Sequence, residues 1–189
     1  MNIQGSRAAF LTLAVRMART MALVLGLGAA SLGAAPSTAC ASRGVTGALA
    51  PVTKYGKELV PFAMVAKTGD YSRRMFIDAT SSRRFAQTGH LPEGAVLVLE
   101  TWFGRELSTV YVRQRVGDGF RASSFPPTAP NFATTSDAVC EGCHSRAHAT
   151  EDTFTLPLLR KALERGAVQA IVCPKPSFTP CDLSVYEGP

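Results

Sequence analysis

The chain has 189 residues, 20 lysines and arginines against 14 acids, and a formal net charge of +6. That length suits one domain with extensions, and a 46% apolar content is enough for a packed core. No basic run interleaves with aromatic residues, so composition and charge argue against a nucleic-acid binder.

The first 41 residues stand apart. Arg7, Arg16 and Arg19 precede "MALVLGLGAASLGAA", an apolar run of 15 residues that ends in "PSTACAS". No acid occurs before Glu58. A basic start, a short apolar stretch and a small-residue end predict a secretory signal peptide over residues 1–41. The run falls short of the roughly 20 apolar residues that a membrane span needs. Ala39-Cys40-Ala41 fits cleavage before Ser42. In the alternative processing Cys40 is lipidated and anchors the chain to a membrane. Both readings predict export, to a periplasm or beyond. Loss of the segment removes three arginines and no acid, so 17 basic residues then face 14 acids and the net charge is +3.

Residues 42–70 form an N-terminal segment. Its stretch "KYGKELVPFAMVAK" has helical spacing of apolar residues, interrupted by Pro61, and is expected to be partly helical. "YSRRMFID" predicts a strand. "DATSSRRFAQTG" predicts a short helix capped by Asp78 and ended by Gly89. "GAVLVLETWF", "LSTVYVRQRV" and "FRASSF" predict three consecutive antiparallel strands joined by "GREL" and "GDG". In the second of these, Val110, Val112 and Val116 share one face, and Tyr111, Arg113 and Arg115 the other. After the loop "PPTAPNFATTS" come two helices. One is "SDAVCEGCHSRAH", capped by Ser136 or Asp137; the other is "TFTLPLLRKALERGA", ending at Gly166. The fold class expected is α+β, an antiparallel meander with flanking helices and the Cys-rich motif on a C-terminal helix. Residues 169–189 form a Pro-rich tail, where an exported chain would join Cys173 to Cys181 by a disulfide.

The stretch "CEGCH" carries the most chemistry. Cys140 and Cys143 lie one helical turn apart, so their thiols can each add to a haem vinyl group. His144 then follows in position to ligate the iron. Cys-x-x-Cys-His in an exported chain therefore predicts one covalently attached haem c, with His144 as proximal ligand. Three other readings stand beside it. A dithiol oxidoreductase would set its Cys-x-x-Cys at the start of a helix after a strand. A zinc site would use Cys140, Cys143, His144 and His148, although adjacent Cys143 and His144 are poorly placed to share one tetrahedral ion. A local disulfide would simply join Cys140 to Cys143.

The last methionine, Met75, precedes the motif, so no downstream Met can be the sixth iron ligand. His148 lies on the same helical side as His144. His90, in the turn "GHLPEG", is the remaining candidate. The expected state is an open sixth position, which suits small-ligand binding or chemistry more than electron transfer.

The succession "LPEGAVLVLETW", "STVYVRQRVGDGF", "VCEGCH" and "EDTF" resembles the cytochrome P-460 family over residues 71–168. The resemblance implies a mostly antiparallel β fold with helices, often dimeric, carrying one c-type haem at Cys140, Cys143 and His144. It implies that Glu100, on a strand, acts as a proton acceptor near the distal site in members that oxidise hydroxylamine. Those members also cross-link a lysine to the haem; Lys67 is the nearest candidate here, because "YSRRMFID" holds Arg73 and Arg74 instead. Members without the cross-link, of cytochrome c′-beta type, bind nitric oxide in an apolar pocket, for which Phe76, Phe85 and Phe103 are candidates. The expected ligand is thus a small diatomic or nitrogenous molecule, with a redox partner of unspecified kind. Hydroxylamine oxidation and periplasmic electron transfer are the alternatives.

Overall fold

The computed structural model describes residues 49–176 and 179–188. The signal-peptide and Cys40 readings lie outside the described residues. A seven-stranded sheet organises the chain in the order β1 (Val52–Lys54), β2 (Lys57–Ala66), β3 (Tyr71–Asp78), β4 (Val96–Phe103), β5 (Glu106–Val116), β6 (Gly119–Phe125). These six pair antiparallel with their neighbours. The seventh strand, β7 (Gln169–Val172), runs parallel to β2 and takes up the edge that short β1 leaves open. Helices α1 (Ala79–Thr88), α2 (Ala138–His144), α3 (Leu156–Arg165) and α4 (Leu183–Glu187) complete the described fold, with a 3-10 turn at Ser145–Thr150 between α2 and α3.

The α+β class, the strand "YSRRMFID" and the three-strand meander are as expected; β1, β2 and β7 are strands beyond those expected. The expected helical content of residues 42–70 is not found in the described part of that segment. There "KELVPFAMVA" is strand β2. Pairing with β3 and β7 makes it so; Pro61 would break a helix there, and because it lacks an N–H for the ladder, the β2–β3 register shifts between Pro61 and Ala63. The tail also contributes to the sheet, through β7, and is tied down by a Cys173–Cys181 disulfide with Cα atoms 6.0 Å apart. Asp78 caps α1 by accepting from Ser81 N at 2.8 Å, and left-handed Gly89 ends it.

Both faces of the sheet are covered. On one, Val60, Phe62, Val65, Met75, Ile77 and Leu97 pack with Phe85 of α1, Leu158 and Leu159 of α3, and Tyr186 of α4. On the other, Leu59, Phe76, Val98, Val110, Val112 and Phe125 form a smaller cluster. The β1–β2 turn folds over that second face: Tyr55 meets Phe125 edge-on at 5.6 Å between ring centroids. Tyr55 and Gly56 both have positive φ, 53° and 74°, as a two-residue hairpin turn of the mirror-image type requires. Among the described residues no helix is long and apolar enough to cross a membrane.

Lys67, the candidate for a haem cross-link, sits at the end of β2 with only 6% of its surface exposed, and its ammonium donates to the Thr179 carbonyl. Burial, with Arg73 and Lys175 adding repulsion, pulls its pKa down to about 8. Between about pH 8 and 10.5 the folded chain has therefore released a proton that the unfolded chain still holds. Stability from this group rises with pH across that window. The difference in unfolding free energy between wild type and Lys67→Met, followed by urea titration, should shift in favour of wild type from pH 8 to pH 10. A difference that stays constant would place the Lys67 ammonium in water.

A candidate haem-binding cavity

The motif is on α2, where its three functional side chains face one cavity. Asp137 caps the helix, its carboxylate accepting from Val139 N at 2.9 Å and Cys140 N at 3.1 Å. One turn on, Cys140 and Cys143 are half-buried free thiols. They and His144 border a cavity of about 470 Å³, within the size range of small-molecule and cofactor pockets. The opposite wall is the sheet: Arg73 and Met75 of β3, Leu97 and Leu99 of β4, and Tyr111 and Arg113 of β5. Phe154, Pro180 and Tyr186 also border it.

His144 is held in one orientation. Its Nδ1 lies 2.8 Å from the carbonyl oxygen of Asp152. A carbonyl can only accept, so Nδ1 carries the proton and the lone pair is left on Nε2. Phe154 meets the ring edge-on at 5.4 Å. Burial, reinforced by the Arg113 charge, pulls the imidazole pKa down to about 4, so it is neutral near pH 7. A neutral, oriented imidazole with a hydrogen-bonded second nitrogen is the form in which histidine ligates a metal.

The Asp152 carbonyl also accepts from Arg113 Nη1 at 2.9 Å. The guanidinium stacks 4.0 Å from the Phe120 ring centroid. Burial lowers its pKa to about 10, which leaves it charged near neutrality. The carbonyl is aimed by two successive non-glycine residues in the left-handed region, Glu151 at φ 51° and Asp152 at φ 53°. The side chains of both are tethered. Glu151 accepts from Leu91 N at 3.2 Å and pairs with His90 Nδ1 at 3.1 Å, and Asp152 pairs with His148 Nδ1 at 3.3 Å.

This geometry sorts the sequence-derived candidates. Cys140, Cys143 and His144 come together. His90 and His148 do not join them: their side chains are 80% and 93% exposed and hold the 151–152 turn instead. Glu100 is fully buried but lies in the register of the opposite sheet face, beside Val110, and does not border the cavity. There it accepts from the Lys54 ammonium, from Tyr55 Oη at 2.5 Å and from Trp102 Nε1 at 3.0 Å. Burial and this carboxylate push the Tyr55 pKa well up. Phe76 borders the cavity, yet its ring belongs to the opposite cluster. Phe85 is in the core under α1, and Phe103 is 49% exposed against Tyr71. None of the five lysines borders the cavity.

Three wall residues escaped the sequence reading. Tyr111 and Arg113 look like a solvated strand face because they alternate with buried valines. Met75 was set aside because it precedes the motif, but the fold returns β3 to the cavity.

The residues fit a covalently held haem better than the other readings of "CEGCH". Cys140 and Cys143 are not bridged to each other. Among the described residues no three His, Cys, Asp or Glu side chains gather as a metal cluster, which disfavours the zinc set. A dithiol catalyst needs a depressed thiol pKa, whereas burial and the Asp137 carboxylate push that of Cys140 up. Glu100→Gln should lower stability by about 1–3 kcal/mol, since Lys54 and Tyr55 lose a charged acceptor, while leaving haem loading unchanged. Urea unfolding and the haem-to-protein absorbance ratio measure the two effects; a loss of haem without loss of stability would put Glu100 back at the site. No protein-family model and no curated protein matches the chain.

Proposed function

We propose that this is an exported c-type haem protein of the cytochrome P-460/c′-beta type that binds nitric oxide or a similar small ligand. The observation that carries the reading is the convergence of Cys140, Cys143 and a neutral, oriented His144 on one largely apolar cavity. Cys140 and Cys143 would hold the haem through thioethers, and His144 Nε2 would be its proximal ligand. Bound there, haem supplies an iron centre for small-ligand binding and one-electron redox chemistry. Leu97 and Leu99 offer a water-poor wall on the sheet side, and Tyr111, whose pKa burial raises, stays a neutral phenol able to donate a hydrogen bond. The hydroxylamine-oxidising reading is weaker, since Glu100 and Lys67 both lie away from the cavity.

Electron transfer is the second reading, now favoured by Met75 rather than His90. The Met75 thioether is a soft donor on the buried sheet wall of the same cavity.

Two measurements test these readings. Protein matured in a bacterial periplasm should give the alkaline pyridine spectrum of two-thioether haem, and Cys143→Ala should give a one-thioether spectrum or lose haem. Unchanged covalent haem in Cys143→Ala would remove that thiol from the attachment. Ferrous wild-type protein should bind carbon monoxide readily, with a spectrum indifferent to Met75→Leu. A six-coordinate spectrum that becomes five-coordinate in Met75→Leu would move the electron-transfer reading ahead.

A further inference from the structure

The carbonyl of Asp152 receives two donors at nearly equal distance, His144 Nδ1–H at 2.8 Å and Arg113 Nη1–H at 2.9 Å. From this shared acceptor we infer that Arg113 is a positioning residue that sets the donor strength of His144 and so the reduction potential of the haem; the inference rests on the haem reading above.

The argument runs through ordinary electrostatics. A histidine whose Nδ1–H is pulled by a strong acceptor takes on imidazolate character and becomes a stronger donor at Nε2. A cation on the same carbonyl oxygen drains that acceptor and works the other way. Its charge also disfavours the ferric state relative to the ferrous at short range. The first effect weakens the bond that His144 would make to the iron, and both raise the potential. Arg113 is fitted for a fixed role: its guanidinium is held by the carbonyl and by the Phe120 ring, with Thr153 Oγ1 at 3.5 Å. The 151–152 turn accepts two left-handed residues to keep the carbonyl in place, and backbone strain of this kind persists where the surroundings over-determine it. The charged groups around His144 are Arg113 and Arg73 from the sheet and Asp152 from its own turn.

The test compares haem-loaded wild type, Arg113→Lys and Arg113→Gln. A potentiometric titration with dye mediators, which supply the single electron, gives the ferric-to-ferrous ratio. Resonance Raman of the ferrous form gives the iron–histidine stretch. Arg113→Gln should favour the ferric state about tenfold, which is 59 mV for one electron, and raise the stretching frequency. Arg113→Lys, which keeps the charge but not the fork, should fall between. If Arg113→Gln does not fold, Arg113→Lys carries the test alone. Wild-type potential and frequency in a variant with normal covalent haem would overturn the inference and leave the haem reading standing. Wild-type protein without covalent haem would overturn both.

Discussion

The middle of the sheet of β3, β4, β5 and β6 is covered on both faces, and this constraint governs where charge can be kept there. A sheet open on one side disposes of its polar residues into water. Here the alternate residues of each strand meet either the helix-covered core and the cavity or the cluster beneath the β1–β2 turn. Every ionisable side chain on these strands that leaves water must find a partner, because an unpaired buried charge costs several kcal/mol. Glu100 meets that demand with Lys54, Tyr55 and Trp102 on one face. Arg113 meets it with a backbone carbonyl and an aromatic ring on the other. The two charges are thereby assigned to different sites, although both stand near the middle of the sheet.

That division bears directly on chemistry. The carboxylate that borders the cavity, Asp137, is taken up by the backbone N–H groups of Val139 and Cys140. Glu100 does not border it, and the sheet wall offers Arg73, Arg113, Met75, Leu97, Leu99 and Tyr111. Such an arrangement supports the proposal of small-ligand binding more than that of proton abstraction by Glu100. Glu100 serves the fold: it pulls the β1–β2 turn across the second face and compensates the left-handed Tyr55.

Much of this was legible in the sequence. Strand alternation in "LSTVYVRQRV", the Asp78 and Asp137 caps, Gly89 and Gly166 as helix ends, and the "CEGCH" spacing all act through local geometry, which neighbouring residues determine. Other features were not legible, each because the deciding partner is remote in the chain. "KELVPFAMVA" has apolar spacing that suits a helix, but pairing with β3 and β7 makes it a strand. Glu100 takes its role from Lys54 and Tyr55, about 45 positions away. Met75 and Arg113 carry no sign of a shared site in the sequence, and the fold places both on the wall of one cavity. Sequence order misled most over Met75, since position relative to "CEGCH" says nothing about position relative to the cavity.

The segment "EDTF" shows how a short pattern gains meaning from such partners. By itself it is two acids and an aromatic after a histidine-rich turn. In the fold Glu151 anchors the turn to the start of the "LPEG" loop, Asp152 lends its carbonyl to His144 and Arg113, and Phe154 packs on the His144 ring. Replacing either acid by a β-branched residue, for which positive φ is costlier still, would leave the motif helix intact while rotating the carbonyl away from the imidazole. The orientation of the His144 ring is therefore encoded outside the Cys-x-x-Cys-His motif, in a turn whose backbone conformation is the unfavourable one for its residues. Chain strain, a half-buried cation and an oriented imidazole all meet at a single oxygen atom, and the orientation of the His144 ring depends on how that oxygen is shared.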